Sequence, residues 1–127
     1  MSGPKPDARG LSLGLYEKAM PASLSWPEKM AAARDAGFNC LEMSIDETDG
    51  KLSRLWMDGG ALSALRQAAG SEGVPIKSIC LSGHRRYPLG SRDAARRARG
   101  REMLSRAIEL AFQLGVRVIQ LAGYDVY

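Results

Sequence analysis

The chain has 127 residues, of which 45% are apolar and 25% are charged, and this composition is typical of an ordinary globular domain. It contains no apolar run of about 18 residues, and its start lacks the apolar core of a secretion signal, so we predict a cytoplasmic protein with no membrane partner. The net charge of +4 suits an anionic partner but does not identify one.

The first ten residues are polar and rich in Gly and Pro, which predicts a disordered leader over residues 1–10 followed by one domain over residues 11–127. Residues 11–15 form a short apolar segment that predicts the first strand. A polar group follows at the carboxyl end of this strand, namely Tyr16, Glu17 and Lys18.

The first helix has clear signals at both ends. Ser25 is a good N-cap, Pro27 is tolerated in the first turn, and Glu28 completes a capping box. Gly37 is predicted to end the helix in a left-handed conformation.

The second unit begins with a strand over residues 38–45, which carries Glu42 among apolar residues. The acidic segment that follows, through Asp49 and Gly50, is predicted to be a loop. Asp58 is a candidate cap for the second helix, although two glycines come directly after it and weaken the start of a helix.

The third strand begins near Ile76 and leads into a polar turn that contains His84 and Arg85. Ser91 is predicted to cap a third helix over residues 91–114, whose second half carries a wide apolar stripe. Gly115 ends this helix.

The fourth strand covers residues 116–121 and carries Gln120, and Tyr124 follows it. Two cysteines, Cys40 and Cys80, fall within predicted strands and form no Cys-x-x-Cys motif. We therefore predict that they are buried, inert thiols without a disulfide.

The order of elements, β-α-β-α-β-α-β, predicts parallel strands joined by right-handed crossovers. A doubly wound sheet and a piece of a (β/α)8 barrel both have this order. Because no glycine-rich phosphate loop follows the first strand, the barrel is favoured. Four units make up about half of a ~250-residue barrel, so the predicted fold class is α/β, the N-terminal half of a (β/α)8 TIM barrel with about four β/α units.

In a barrel, all strands point their carboxyl ends at one mouth, where chemistry collects. Polar groups that end the four strands are therefore candidates for substrate binding, and they can hydrogen-bond a polyol or pair with an anion. Each also has a structural explanation, such as an ion pair for Glu42, a hydrogen bond to a loop carbonyl for His84, or a solvated position for Arg85. The candidates are Tyr16, Glu17, Lys18, Glu42, His84, Arg85, Gln120 and Tyr124.

Four segments carry a resemblance to a known family. They are Gly14-Leu-Tyr-Glu-Lys-Ala, Leu41-Glu-Met-Ser-Ile-Asp-Glu-Thr-Asp, Cys80-Leu-Ser-Gly-His-Arg-Arg-Tyr-Pro-Leu-Gly-Ser and Arg117-Val-Ile-Gln-Leu-Ala-Gly-Tyr-Asp-Val-Tyr. The chain resembles L-ribulose-5-phosphate 3-epimerase, also called L-xylulose-5-phosphate 3-epimerase, among the xylose-isomerase-like barrels. Members of that family are about twice as long, so the resemblance implies an N-terminal fragment.

The resemblance implies an isomerase that interconverts L-xylulose 5-phosphate and L-ribulose 5-phosphate at C3 during L-ascorbate degradation. It implies a divalent metal ion (Mn, Zn or Mg) that polarises the C2 oxygen, while one glutamate removes the C3 proton and another returns it. The family's metal ligands lie on later strands. We therefore expect no metal bound by this fragment, no metal ligand or catalytic residue within it, and no activity of the fragment alone. The expected partner is a small-molecule sugar phosphate rather than nucleic acid, and the full-length enzyme is expected to be a homo-oligomer.

Two other functions fit part of the pattern. An endonuclease IV-like nuclease would use His84 as a metal ligand and the arginines after it for DNA phosphates, but the sequence has no second histidine. A non-catalytic half-barrel could instead pair through its open strand edges with a second copy or with a separate C-terminal half.

Overall fold

The structure is a computed structural model that describes residues 10–123. Residues 1–9 of the predicted leader and the candidate Tyr124 lie outside the described residues. The strands are β1 (Gly14–Tyr16), β2 (Cys40–Ile45), β3 (Ile76–Leu81) and β4 (Val118–Leu121). The helices are α1 (Trp26–Asp35), α2 (Asp49–Leu52), α3 (Gly59–Glu72) and α4 (Ala94–Leu114), and short 3-10 turns occupy Glu17–Ala19, Ser53–Trp56 and Gly83–Arg85.

The four strands form one parallel sheet in the order β1-β2-β3-β4. Each crossover moves one strand further in the same direction across the sheet. Right-handed crossovers that all advance in one direction place all helices on one face of the sheet. A doubly wound sheet would instead reverse its strand order. The topology therefore confirms an α/β fold that is part of a TIM barrel.

The core lies between the sheet and this helical layer. Met43, Ile45, Ile79 and Leu81 are fully buried on the sheet. Side chains of the helices complete the core, and those buried on them include Met30, Ala33, Leu62, Leu65, Met103, Ala107 and Leu110.

The predicted helix ends are largely confirmed. The Ser25–Glu28 capping box is formed in both directions. Asp58 accepts a hydrogen bond from the Ala61 N–H at 2.8 Å, so α3 begins directly after it in spite of its two glycines. Gly115 has φ +71°, the left-handed conformation that ends α4.

Several predicted boundaries are wrong. The fourth strand begins at Val118 rather than at residue 116. The acidic segment is a loop only as far as Thr48, whose side chain accepts a hydrogen bond from the Lys51 N–H, and α2 begins at Asp49. Asp93 rather than Ser91 caps α4, and its carboxylate lies 2.9 Å from the Arg96 N–H. The first strand begins at Gly14 rather than at residue 11.

The apolar stripe of α4 is narrower than its sequence predicts. Met103, Ala107 and Leu110 are buried, but Ile108 is 57% exposed and Phe112 is 85% exposed. Within the described residues, α4 packs against β3, β4, α3 and the Ser53–Trp56 turn, and these contacts leave Ile108 and Phe112 exposed. No helix within residues 10–123 is long and apolar enough to cross a membrane.

Candidate functional site

Polar side chains occupy the face of the sheet that points away from the helices. Successive residues of a strand point to opposite faces, and Met43, Ile45, Ile79 and Leu81 belong to the core. The residues that alternate with them form what we call the polar face, which contains Tyr16, Glu42, Ser44, Ser78, Cys80 and Gln120.

Hydrogen bonds between strands order the polar face. The Tyr16 hydroxyl donates to Ser44 Oγ at 3.2 Å across β1 and β2, and burial raises the pKa of Tyr16. The Ser78 hydroxyl donates to the Glu42 carboxylate at 2.6 Å across β2 and β3. The Glu42 partner is therefore a serine, not the basic residue that an ion pair would need.

The polar face also corrects the prediction for the two cysteines. Cys40 and Cys80 are half-buried rather than buried, and both are free thiols. Cys80 lies in register between Ser44 on β2 and Gln120 on β4. Alternation with Ile79 and Leu81 is the sequence signal that places Ser78 and Cys80 on this face, and alternation with Ile119 places Gln120 there on β4.

Ion pairs link the loops at the carboxyl ends of the strands, and we call them the rim pairs. Lys18, after β1, lies 2.7 Å from the carboxylate of Asp46, after β2. Burial by itself would raise the pKa of Asp46, but hydrogen bonds from Lys18 and Thr48 lower it to about 2. The hydrogen bond to Asp46 raises the pKa of Lys18.

The rim pairs continue from the second loop to the third. Arg85 lies 3.1 Å from the carboxylate of Glu47, and Arg86 lies 2.7 Å from that of Asp49. Arg86 also donates to the Glu47 carbonyl oxygen at 3.3 Å. In this structure, therefore, the predicted anion-binding residue Arg85 is paired with a carboxylate of the protein.

A cluster of cations that the sequence did not reveal surrounds Glu17. The Glu17 side chain is fully buried and contacts Lys29, Lys51 and Arg54, and it accepts the Ser44 N–H at 3.0 Å. Burial by itself would raise the pKa of Glu17, but hydrogen bonds from Arg54, Lys51 and Ser44 lower it to about 2. We call Glu17, Lys29, Lys51 and Arg54 the Glu17 cluster.

His84 is buried beside α4. Its Nε2 lies 2.9 Å from the Gly100 carbonyl oxygen, which can only accept, so Nε2 carries the hydrogen. The ring borders a small cavity of about 220 Å³ that Pro88, Leu89, Gly90, Ala122 and Gly123 also line.

The structure thus separates the predicted site residues into three groups. Tyr16, Glu42 and Gln120 share the polar face, whereas Lys18 and Arg85 lie on the rim. Glu17 and His84 are buried beside the rim. For all of these residues, a role in contacting substrate stays a prediction. Among residues 10–123, no three His, Cys, Asp or Glu side chains lie close enough together to hold a metal ion.

Comparison with known proteins identifies the family. Residues 30–126 match the family model described as Xylose isomerase-like TIM barrel. The chain belongs to this family. The match confirms the barrel class that the strand order indicates.

Two relatives are described as an L-ribulose-5-phosphate 3-epimerase, one of them as a putative one. The chain is 55% identical over 119 residues to the putative L-ribulose-5-phosphate 3-epimerase SgbU of Escherichia coli (strain K12). It is 50% identical over 120 residues to L-ribulose-5-phosphate 3-epimerase UlaE of Salmonella paratyphi B. Each alignment covers 94% of this chain but 42% of the relative, so the chain spans less than half the length of these relatives. The resemblance seen in the sequence is confirmed.

Two solved structures share the fold. D-psicose 3-epimerase superposes with a TM-score of 0.68 at 19% identity, over 86% of this chain and 36% of that one. The 3-keto-D-glucoside 4-epimerase YcjR of E. coli superposes with a TM-score of 0.61 at 18% identity, over the same shares. At such identities, these likenesses support the barrel fold alone.

Proposed function

We propose that the chain supplies the N-terminal, substrate-binding half of an L-ribulose-5-phosphate 3-epimerase, which interconverts L-ribulose 5-phosphate and L-xylulose 5-phosphate at C3. The observation that carries this proposal is the 55% identity over 94% of the chain to a relative of that description. The cytoplasmic location, the place in L-ascorbate degradation and the homo-oligomeric state of the full-length enzyme remain predictions.

The chemistry of the polar face supports this role. A ketopentose presents several hydroxyl groups, each of which can donate and accept hydrogen bonds. The polar face offers a phenol, a carboxylate, an amide and hydroxyls on Tyr16, Glu42, Gln120, Ser44 and Ser78. Their positions on neighbouring parallel strands would hold the sugar in one orientation at the mouth.

The expected metal ion finds no set of ligands within the described residues. When bound, such an ion would polarise the carbonyl next to the reacting carbon. We therefore assign the ion to no residue of 10–123 and derive no step through it. The part proposed for this chain is to bind and orient the sugar, while the groups that move the C3 proton come from the rest of the barrel.

The two ends of the described sheet support the proposal that this is half of a barrel. Within residues 10–123, β1 and β4 each pair with one strand only. A closed barrel would add a partner to each edge. We accordingly expect the chain by itself to have no epimerase turnover above background.

The test is an epimerase assay on L-xylulose 5-phosphate with added manganese. It compares the chain alone with the chain mixed with the C-terminal part of the E. coli relative that follows the matched segment. We expect turnover only in the mixture. Gln120→Ala should lower this turnover more than Lys77→Ala, because Lys77 is an exposed residue near the start of β3. Turnover by the chain alone would contradict its proposed status as a half-barrel. No turnover in the mixture, with both parts folded, would contradict the epimerase function.

A further inference from the structure

A cavity of about 360 Å³ lies between the segment that follows β1 and the segment that follows β2. Its walls come from the turn after β1, the start of α1 and the residues around α2. The lining residues are Glu17, Lys18, Met20, Ala22, Lys29, Asp46, Thr48 and Lys51.

Positive charge exceeds negative charge around this cavity. Three lysines line it against two carboxylates, and one of these carboxylates, Asp46, is paired with Lys18. The other, Glu17, is shared by Lys29, Lys51 and Arg54. One carboxylate thus faces three cations, which leaves an excess of two positive charges in a largely buried cluster.

Lys29 carries the least compensated of these charges. Its side chain is 5% exposed, and its one hydrogen bond within the described chain is to Glu17 at 3.3 Å. The ammonium also lies 4.9 Å from the centre of the Trp26 ring. An ammonium group has three donors, and a buried charge is costly unless it is paired and hydrogen-bonded. A small anion in the cavity would supply the missing acceptors.

We propose that this cavity binds a small oxyanion of the phosphate class through Lys29 and Lys51. Phosphate offers several strong acceptor oxygens and fits within the cavity volume. The anion is either free inorganic phosphate or the phosphate group of an ester. The proposal does not depend on the epimerase function, because it rests on charge and burial alone. In many (β/α)8 barrels phosphate sits near strands 7 and 8, so a site beside β1 and β2 is a different position.

Isothermal titration of the 127-residue chain with inorganic phosphate, in a buffer without other oxyanions, tests the site. We expect saturable binding that weakens about tenfold or more in Lys51→Met, because a charge-assisted hydrogen bond is lost. Lys77→Met is the matched control: it removes the same charge from an exposed residue away from the cavity and should bind as the parent does. Absence of binding, or equal weakening in both variants, overturns the proposal.

Two further arms separate the sources of the anion and guard against misfolding. Titration with ribose 5-phosphate and with ribose identifies an ester site if the ester binds more tightly than inorganic phosphate and the free sugar does not bind. Lys29→Met is expected to abolish binding, but loss of a buried residue can also unfold the chain. The circular dichroism spectrum and melting temperature of Lys29→Met are therefore compared with those of the parent before titration, and Lys51→Met, whose side chain is 17% exposed, decides the question if Lys29→Met is unfolded. If a folded Lys29→Met or Lys51→Met binds phosphate as tightly as the parent does, the cluster is purely structural and the proposal is wrong.

Discussion

Replacing Gly100 with alanine tests the contact that holds the His84 loop against α4. A Cβ atom at Gly100 would lie 2.5 Å from the Tyr87 carbonyl oxygen and 3.3 Å from Leu89 Cδ2. The first distance is far inside van der Waals contact, and the atom it meets belongs to the backbone, so the loop has to move. That movement also strains the hydrogen bond between His84 Nε2 and the Gly100 carbonyl oxygen, which are 2.9 Å apart.

Two opposing terms set the expected size of the effect. In a helix interior, alanine is more favourable than glycine by about 1 kcal/mol. Forcing an extra methyl group into a packed site costs about 1–3 kcal/mol. The clash at 2.5 Å is with backbone, so we place the packing cost in the upper part of its range, at about 2–3 kcal/mol. After the gain of about 1 kcal/mol in helix propensity, Gly100→Ala should lower the free energy of unfolding by about 1–2 kcal/mol.

Urea unfolding followed by far-UV circular dichroism measures this change. Gly70→Ala is the matched control, since Gly70 lies within α3 and a Cβ atom there would have nothing within 4 Å. This control should gain up to about 1 kcal/mol from helix propensity alone. If Gly100→Ala gained as much as Gly70→Ala, the close approach between α4 and the loop would be refuted.

Three other variants probe charge, capping and exposure. The pKa of Glu17 is lowered from 4.5 to about 2. Above pH 4.5 its ionised form therefore adds up to about 3 kcal/mol to the free energy of unfolding, and this contribution is lost as the pH falls towards 2. Urea midpoints at pH 6 and pH 3 should therefore differ less in Glu17→Gln than in Glu109→Gln, an exposed control, and an equal difference would contradict the shifted pKa. Asp58→Ala should cost about 1 kcal/mol in urea unfolding through loss of the α3 cap, and an unchanged midpoint would argue against that cap. Phe112→Ser should change the free energy of unfolding by no more than about 0.5 kcal/mol, because the ring is 85% exposed, and a larger loss would place it in the core.

The order of elements could be predicted from sequence because its signals are local. A capping box at Ser25, a carboxylate at Asp58 and a glycine at Gly115 each act within one helical turn. The errors have the same origin. Ser91 and Asp93 are both good caps two residues apart, and sequence alone does not decide which N–H each one meets.

The candidate site was predicted only in part because its pairings are long-range. Polar residues near strand ends could be found from the strand pattern alone, but the pattern did not show that the structure divides them between the polar face, the rim and buried positions. The Glu17 cluster could not be found in this way, since Lys29, Lys51 and Arg54 are 12, 34 and 37 residues away from Glu17. Nor does helical periodicity reveal which apolar residues of α4 lack a neighbour, as the exposure of Phe112 illustrates.

The contacts around the mouth bear on how much of the site this half of a barrel can set by itself. Ion pairs between exposed side chains contribute at most about 1 kcal/mol each, so Arg85–Glu47 and Arg86–Asp49 are a weak explanation for the fold, whereas Lys18 pairs with the buried carboxylate of Asp46. Their placement is more informative, because Lys18–Asp46 joins the first loop to the second and Arg85–Glu47 joins the second to the third.

Buried contacts hold the first and the third of these three loops. Glu17 anchors the first loop through its cluster, and His84 fastens the third loop to Gly100 of α4. Each of these contacts lies within residues 10–123, so the described part of the chain itself holds the three loops together. On the proposed function, a complementary half would supply strand partners and reacting groups to loops that already contact one another. This is why mixing the two halves is a fair test of the proposed function.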